Sequence, residues 1–98
     1  MKKVLICGHR SFVATGLTKV LEQSEISYDC FSRGTEKRDG NIITGDVLDM
    51  PNNKFLDEYD TVINYIILKN QSVDDNLAYI KSLLEFCKNK NVKHLLQI

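Results

Sequence analysis

The stretch VLICGHRSFVATGL, residues 4–17, decides how this chain is read. An apolar run reaches Gly8, a short polar segment follows, and from Phe12 the apolar residues Val13, Leu17, Val20 and Leu21 recur at helical spacing. A strand that hands the chain to a helix N-terminus builds a phosphate site, because the first helical N–H groups have no intrahelical partner. Glycines in such a turn permit the tight bend, close approach to phosphate and close helix packing. Here Gly8 takes the first place, and Ser11 and Ala14 stand at the next two on a three-residue spacing. Both replacements are small, and a serine hydroxyl is able to donate to a phosphate. Taken alone, the pattern fits an ordinary strand-to-helix turn better.

Working outward, five segments read as strands: residues 3–7, 28–32, 41–45, 60–66 and 94–98. The first, fourth and fifth are nearly continuous apolar runs, as parallel strands covered on both faces require. Helices are expected over Phe12–Gln23 and after Ser72, where SVDD (72–75) resembles a capping box. In the second helix Leu77, Ile80, Leu84 and Cys87 form the expected core stripe, flanked by Leu83, with NKN (89–91) closing it. A helical turn is expected over residues 53–58 after Pro51, and Gly16 is read as letting the first helix sit close to the sheet, at a cost of about 1 kcal/mol relative to alanine. The alternation implies an α/β, Rossmann-type, doubly wound parallel sheet of five strands in the order 3-2-1-4-5. RGTEKRDG (33–40) leaves only eight residues for one crossover, too few for a full helix. Ile98 falls inside the fifth strand, so residues 1–98 are read as an N-terminal segment truncated from a longer protein, with an unpaired apolar strand that favours association.

The 98 residues allow one domain, with 13 basic against 13 acidic side chains. That balance gives no electrostatic footprint for nucleic acid. No apolar run approaches the ~20 residues of a membrane span, and the run before Gly8 is too short for a signal peptide. Cys7, Cys30 and Cys87 match no metal or redox spacing and read as buried, reduced thiols of a cytoplasmic protein. No metal site is expected. No lysine follows the loop as a nucleoside-triphosphate site needs, and no acid pair follows the first strand as a receiver domain needs.

Four blocks in order carry a resemblance: GHRSFVA (8–14), ITGDVLD (43–49), YDTVINYI (59–66) and DNLAYIKSLLEFCKNKNVKHLLQI (75–98). Together they resemble the extended short-chain dehydrogenase/reductase family, the NAD(P)-dependent sugar-nucleotide epimerases and dehydratases. The family loop runs G-x-x-G-F-I-G, and Phe12–Val13 stand in its register. The resemblance implies that Gly8, Arg10, Ser11, Phe12 and Val13 face the cofactor. It implies that Asp46 holds the adenine amino group, that the Val47 backbone lies beside the ring, and that Tyr65 and Ile66 line the cleft. The chain departs from the family in two loop glycines, in the helix Gly-Thr pair, and in NYI (64–66) where alanines are usual. Tyr65 is large enough to crowd the site or to stack on the cofactor.

An NAD site places an acid about 20 residues past the loop. That place falls at Ser32–Arg33, where no acid stands. Arg33 suits a 2′-phosphate, helped by Ser32, Lys37 or Arg38, which favours NADP slightly over NAD. The plain reading of Arg33 and EKR (36–38) is a solvated loop. Tyr65 and Lys69 share the Y-x-x-x-K spacing of the family's catalytic pair, but Tyr65 ends a strand, so the match is read as coincidence. His9 and His94 read as a turn and a structural residue. No catalytic residue is expected in the chain. It is read as the dinucleotide-binding segment of an oxidoreductase-type epimerase, dehydratase or reductase, with a nucleotide-sugar substrate bound through a further C-terminal part and a possible homo-oligomer. The competing reading is a non-catalytic nucleotide-sensing or interaction module.

Overall fold

The computed structural model describes residues 3–8, 12–66 and 72–97, except the side chains of 12–14. The elements run β1 (Lys3–Cys7), α1 (Phe12–Gln23), β2 (Ser27–Arg33), β3 (Lys37–Asp39), β4 (Ile42–Gly45), a 3-10 segment (Val47–Asn52), β5 (Thr61–Asn64), α2 (Val73–Asn89) and β6 (His94–Gln97). They form one mostly parallel sheet in the order β3-β4-β2-β1-β5-β6. The expected five strands in the order 3-2-1-4-5 are therefore corrected to six, because the short crossover itself contains a strand. β3 runs antiparallel to β4 at the sheet edge, while β4, β2, β1, β5 and β6 pair in parallel.

The physical reason lies in chain reach. A parallel crossover must return the chain to the start of the next strand. Extended backbone covers about 3.3 Å per residue against 1.5 Å in a helix, so a returning strand fits where a helix does not. Gly40, at φ +62°, and Asn41 make the two-residue loop between Asp39 and Ile42 that turns β3 into β4.

Side chains alternate across the sheet into two cores. Leu5, Cys7, Phe31, Ile43 and Val62 face α2 and the 3-10 segment, together with Tyr79, Leu83 and Phe86. Val4, Ile6, Cys30 and Ile63 face α1, with Leu21 buried and Leu17 packed beside them. α1 ends where Glu25 adopts φ +57° and Ile26 N donates to Leu21 O at 3.0 Å. Val20 is exposed, and a Cβ on Gly16 would meet nothing within 4 Å, so Gly16 does not bring the helix to the sheet.

α2 begins as expected, with Ser72 Oγ accepting from Asp75 N at 3.1 Å. Its core face is Tyr79, Ser82, Leu83, Phe86 and Cys87, whereas Leu77 and Leu84 are exposed. The helix carries two apolar stripes, and the one bearing the large aromatic rings removes more area from water, so it turns inward. The turn expected over 53–58 is instead the 3-10 segment over 47–52, with Pro51 inside it. Asp46 caps that segment by accepting from Leu48 N at 2.9 Å, and Met50 N donates to the buried Ser82 Oγ of α2 at 2.9 Å. Asn53 ends it by accepting from Phe55 N at 2.9 Å.

Candidate functional site

The parallel strands all end on one edge of the sheet. That edge gathers Gly8 after β1, Ser32 and Arg33 at the end of β2, Asp46 and Val47 after β4, and Tyr65 and Ile66 after β5. Ladder partners bring them side by side: Cys7 pairs with Phe31 and with Asn64, and Arg33 pairs with Gly45. In open α/β sheets, ligands bind outside this carboxyl edge, where the strand order reverses about the first strand.

Gly8 has φ +86°, a left-handed conformation that side chains avoid. Its N–H donates to Phe31 O at 2.8 Å. A Cβ there would stand 3.1 Å from both Ile66 Cγ1 and Ile66 N, so the position is made for glycine twice over. Arg10 and Ser11 lie outside the described residues. Phe12 and Val13 open α1, and their side chains lie outside them too.

Ser32 is buried on the α1 side of β2, and its Oγ has no hydrogen-bond partner among the described residues. A buried hydroxyl without a partner carries a desolvation penalty, so a polar ligand atom would relieve it. Arg33 is exposed. Arg38 is not free to join it, because its guanidinium donates to Asp29 Oδ2 at 3.0 Å and to the Gly40 carbonyl at 2.8 Å. The help expected of Arg38 for a 2′-phosphate is therefore withdrawn.

Asp46 is exposed beside Gly45, with Oδ1 bound to Leu48 N, while Val47 buries its side chain in the α2-side core. Gly45 excludes a side chain, since a Cβ there would overlap Asn53 Nδ2. Tyr65 is half-buried against the α1-side core, and Ile66 packs on the opposite core. Tyr65 N donates to Cys7 O at 2.8 Å, which extends the β1–β5 ladder by one bond. Lys69, the second member of the Y-x-x-x-K spacing, lies outside the described residues.

Sequence reasoning missed the support beneath this edge. Asn64 is fully buried and accepts on Oδ1 from Ile66 N at 3.1 Å and from the Tyr79 hydroxyl at 2.5 Å. This is why β5 stops at Asn64 rather than at residue 66: a side chain takes the Ile66 N–H. A lone amide inside TVINYI was the available signal, since buried amides need satisfied partners. Burial pushes the Tyr79 phenol and the Cys7 thiol upward, so both stay protonated. Cys30 is pushed up to about 11, first by burial and then by Asp29. All three cysteines are free and buried.

At the opposite edge, an open hollow of about 280 Å³ is lined by Lys3, Glu58, Tyr59, Asp60, Lys90 and Asn91. Its two lysines face two carboxylates, and Lys3 is already paired with Asp29 at 3.2 Å and Asp57 at 3.0 Å. The formal charges of its lining sum to zero. Among the described residues, no group of three or more His, Cys, Asp and Glu is placed to hold a metal ion, and no helix is long and apolar enough to cross a membrane.

The family of the chain follows from its match to the NAD dependent epimerase/dehydratase family over residues 4–98. The chain belongs to that family. It corresponds to the dinucleotide-binding part of a family that uses NAD(P). No curated protein matches it in sequence. Among solved structures, it is similar to a short-chain dehydrogenase/reductase superfamily protein from Agrobacterium tumefaciens with bound NAD, at 13% identity and TM-score 0.74, over 97% of this chain and 31% of that one. It is also similar to a UDP-galactose 4-epimerase, at 12% identity and TM-score 0.70, over 97% of this chain and 37% of that one. At such identities the likeness is one of fold. The chain spans well under half the length of either protein.

Proposed function

We propose that the chain binds a nicotinamide dinucleotide across the carboxyl edge of its sheet, as the N-terminal segment of an NAD(P)-dependent epimerase, dehydratase or reductase. The observation that carries this reading is the Gly8 turn. Its positive φ and its lack of a side chain make Gly8 itself present only backbone where the chain leaves β1. The pyrophosphate is assigned to that turn and to the first N–H groups of α1, with Arg10, Ser11, Phe12 and Val13 as the contributing residues. The adenosine is assigned to the β2–β4 side. Ser32 Oγ is the orphaned donor there, Asp46 the acceptor for the adenine amino group, and Val47 the neighbouring backbone. Tyr65 and Ile66 form the far wall. The bound cofactor supplies hydride transfer, while the chain binds and orients it.

Finer points belong to the same reading. The substrate is a nucleotide sugar or a related molecule, held by a further part of a longer polypeptide, and proton transfer is assigned to that part. The protein is cytoplasmic. Arg33, exposed at the end of β2 where no acid stands, favours NADP slightly over NAD.

Titration with NADH and with NADPH tests the reading. Tighter NADPH binding that Arg33→Ala reduces to the NADH level is expected. Equal affinities would remove the NADP preference, and absence of any binding would favour the non-catalytic interaction module.

A further inference from the structure

Asn64 sits where three elements meet beneath the candidate cleft. Its side chain is wholly buried in a strand whose neighbours Val62 and Ile63 are apolar. Every polar atom it carries is used. Oδ1 accepts from Ile66 N and the Tyr79 hydroxyl, while Nδ2 donates to Gln97 Oε1 at 2.8 Å and, at the long distance of 3.5 Å, to Ile66 O. The bonds therefore reach the exit of β5, the end of β6 and the middle of α2. Ile66 is the residue whose N and Cγ1 stand 3.1 Å from the place a Gly8 Cβ would occupy.

A leucine has the same branched set of heavy atoms, with bulkier methyl ends, and desolvates no amide, so filling the site with atoms does not by itself call for asparagine here. What the amide adds is direction. It bends the chain out of the β ladder two residues early and holds the Ile66 backbone by both its N–H and its carbonyl. We propose that Asn64 is a positioning residue of the dinucleotide cleft: it holds Ile66 against Gly8, and so fixes the gap between the β1 turn and the β5 exit. This rests on the cofactor reading above. Tyr79 and Gln97 hold Asn64 in turn, which ties the gap to α2 and to the end of β6.

The test uses the Asn64→Leu variant of this chain, amide hydrogen exchange at Ile66, and NADH titration. In the wild type, the Ile66 amide exchanges as slowly as the amides of β5. In folded Asn64→Leu it exchanges at least about tenfold faster, β1 amides stay protected, and NADH affinity falls roughly tenfold, the size expected for losing one oriented hydrogen bond. Tyr79→Phe keeps the Ile66–Asn64 bond and retains both Ile66 protection and NADH affinity within about threefold. A purely structural role would lower the melting temperature of Asn64→Leu while leaving Ile66 exchange and NADH affinity of the folded protein unchanged, and that result overturns the proposal. Should Asn64→Leu fail to fold, an Ile66 amide that exchanges in the wild type at the rate of an open loop overturns it equally. If the wild type binds no NADH, the cofactor reading fails, while the exchange measurement still decides whether the clamp exists.

Discussion

The two edges of the sheet are built on opposite plans. At the amino side, a buried carboxylate is surrounded. Asp29 Oδ2 accepts from the Tyr59 hydroxyl at 2.6 Å and pairs with Arg38 at 3.0 Å and Lys3 at 3.2 Å. Asp57 joins the same two cations, and Lys3 lies 5.4 Å from the centre of the Tyr59 ring. At the carboxyl side, polar groups are left open: a glycine turn with no side chain, a buried serine hydroxyl without a partner among the described residues, and an exposed aspartate. The closed edge holds β1, β2, β3 and the segment before β5 together. Among the described residues, the open edge is held by backbone bonds and by the side chains of Asp46, Asn53 and Asn64, and this is the edge assigned above to the ligand. A fold can leave one edge incomplete when the other is internally satisfied.

The largest break in that contrast comes from the closed edge. Asp29→Ala leaves Lys3, Arg38 and Tyr59 without their shared acceptor. Both cations still reach water, so the loss is expected near the lower end of the range for breaking a buried pair, about 3 kcal/mol, read as a fall in urea midpoint. Acid acts on the same group more gently, because a protonated carboxyl keeps some of its hydrogen bonds. Although burial opposes ionisation, the Tyr59, Arg38 and Lys3 hydrogen bonds together hold the Asp29 carboxyl below its ordinary value. The unfolded chain then binds more protons than the folded one. The stabilisation is fully present above about pH 4, the ordinary aspartate range, and is lost as pH falls through the lower folded-state value. Urea midpoints measured from pH 6 downward should show this loss in the wild type and a shallower one in Asp29→Ala.

The open edge should respond in binding more than in stability. Gly8→Ala forces a side chain into the left-handed region and against Ile66, at roughly 1–2 kcal/mol of stability, while dinucleotide affinity falls more than tenfold. Ser32→Ala is expected to change stability by under about 0.5 kcal/mol, since it deletes an unsatisfied hydroxyl, yet to weaken dinucleotide binding several-fold. If Ser32→Ala instead destabilised the ligand-free protein strongly, the hydroxyl would have a protein partner and the contrast between the edges would weaken.

How much of this was legible in the sequence divides along physical lines. The parallel pairing about β1 was readable, because apolar runs covered on both faces leave a continuous pattern in KVLIC and TVIN. β3 was not, because KRD (37–39) is wholly exposed and carries no hydrophobic period. Its only sign was Gly40–Asn41, a pair suited to a two-residue hairpin turn. The start of α2 was legible from Ser72, a local cap. Its buried face was not, because Leu77 and Leu84 compete with Tyr79 and Phe86 and only tertiary packing chooses between them. Within the site, Gly8, Ser32, Asp46 and Ile66 were found at one edge because strand order alone brings strand ends together. Asn53, which donates to the Thr44 carbonyl, and Asn64, which holds Ile66, act through side-chain bonds that no spacing reveals.

The most direct test of the central claim compares the two edges with one ligand. NADH fluorescence is titrated with the wild type, with Gly8→Ala at the open edge, and with Lys90→Ala in the hollow at the closed edge. The account predicts saturable binding by the wild type and by Lys90→Ala, and its loss in folded Gly8→Ala. Binding that survives Gly8→Ala but disappears in Lys90→Ala, or no saturation by folded wild-type protein, would contradict it.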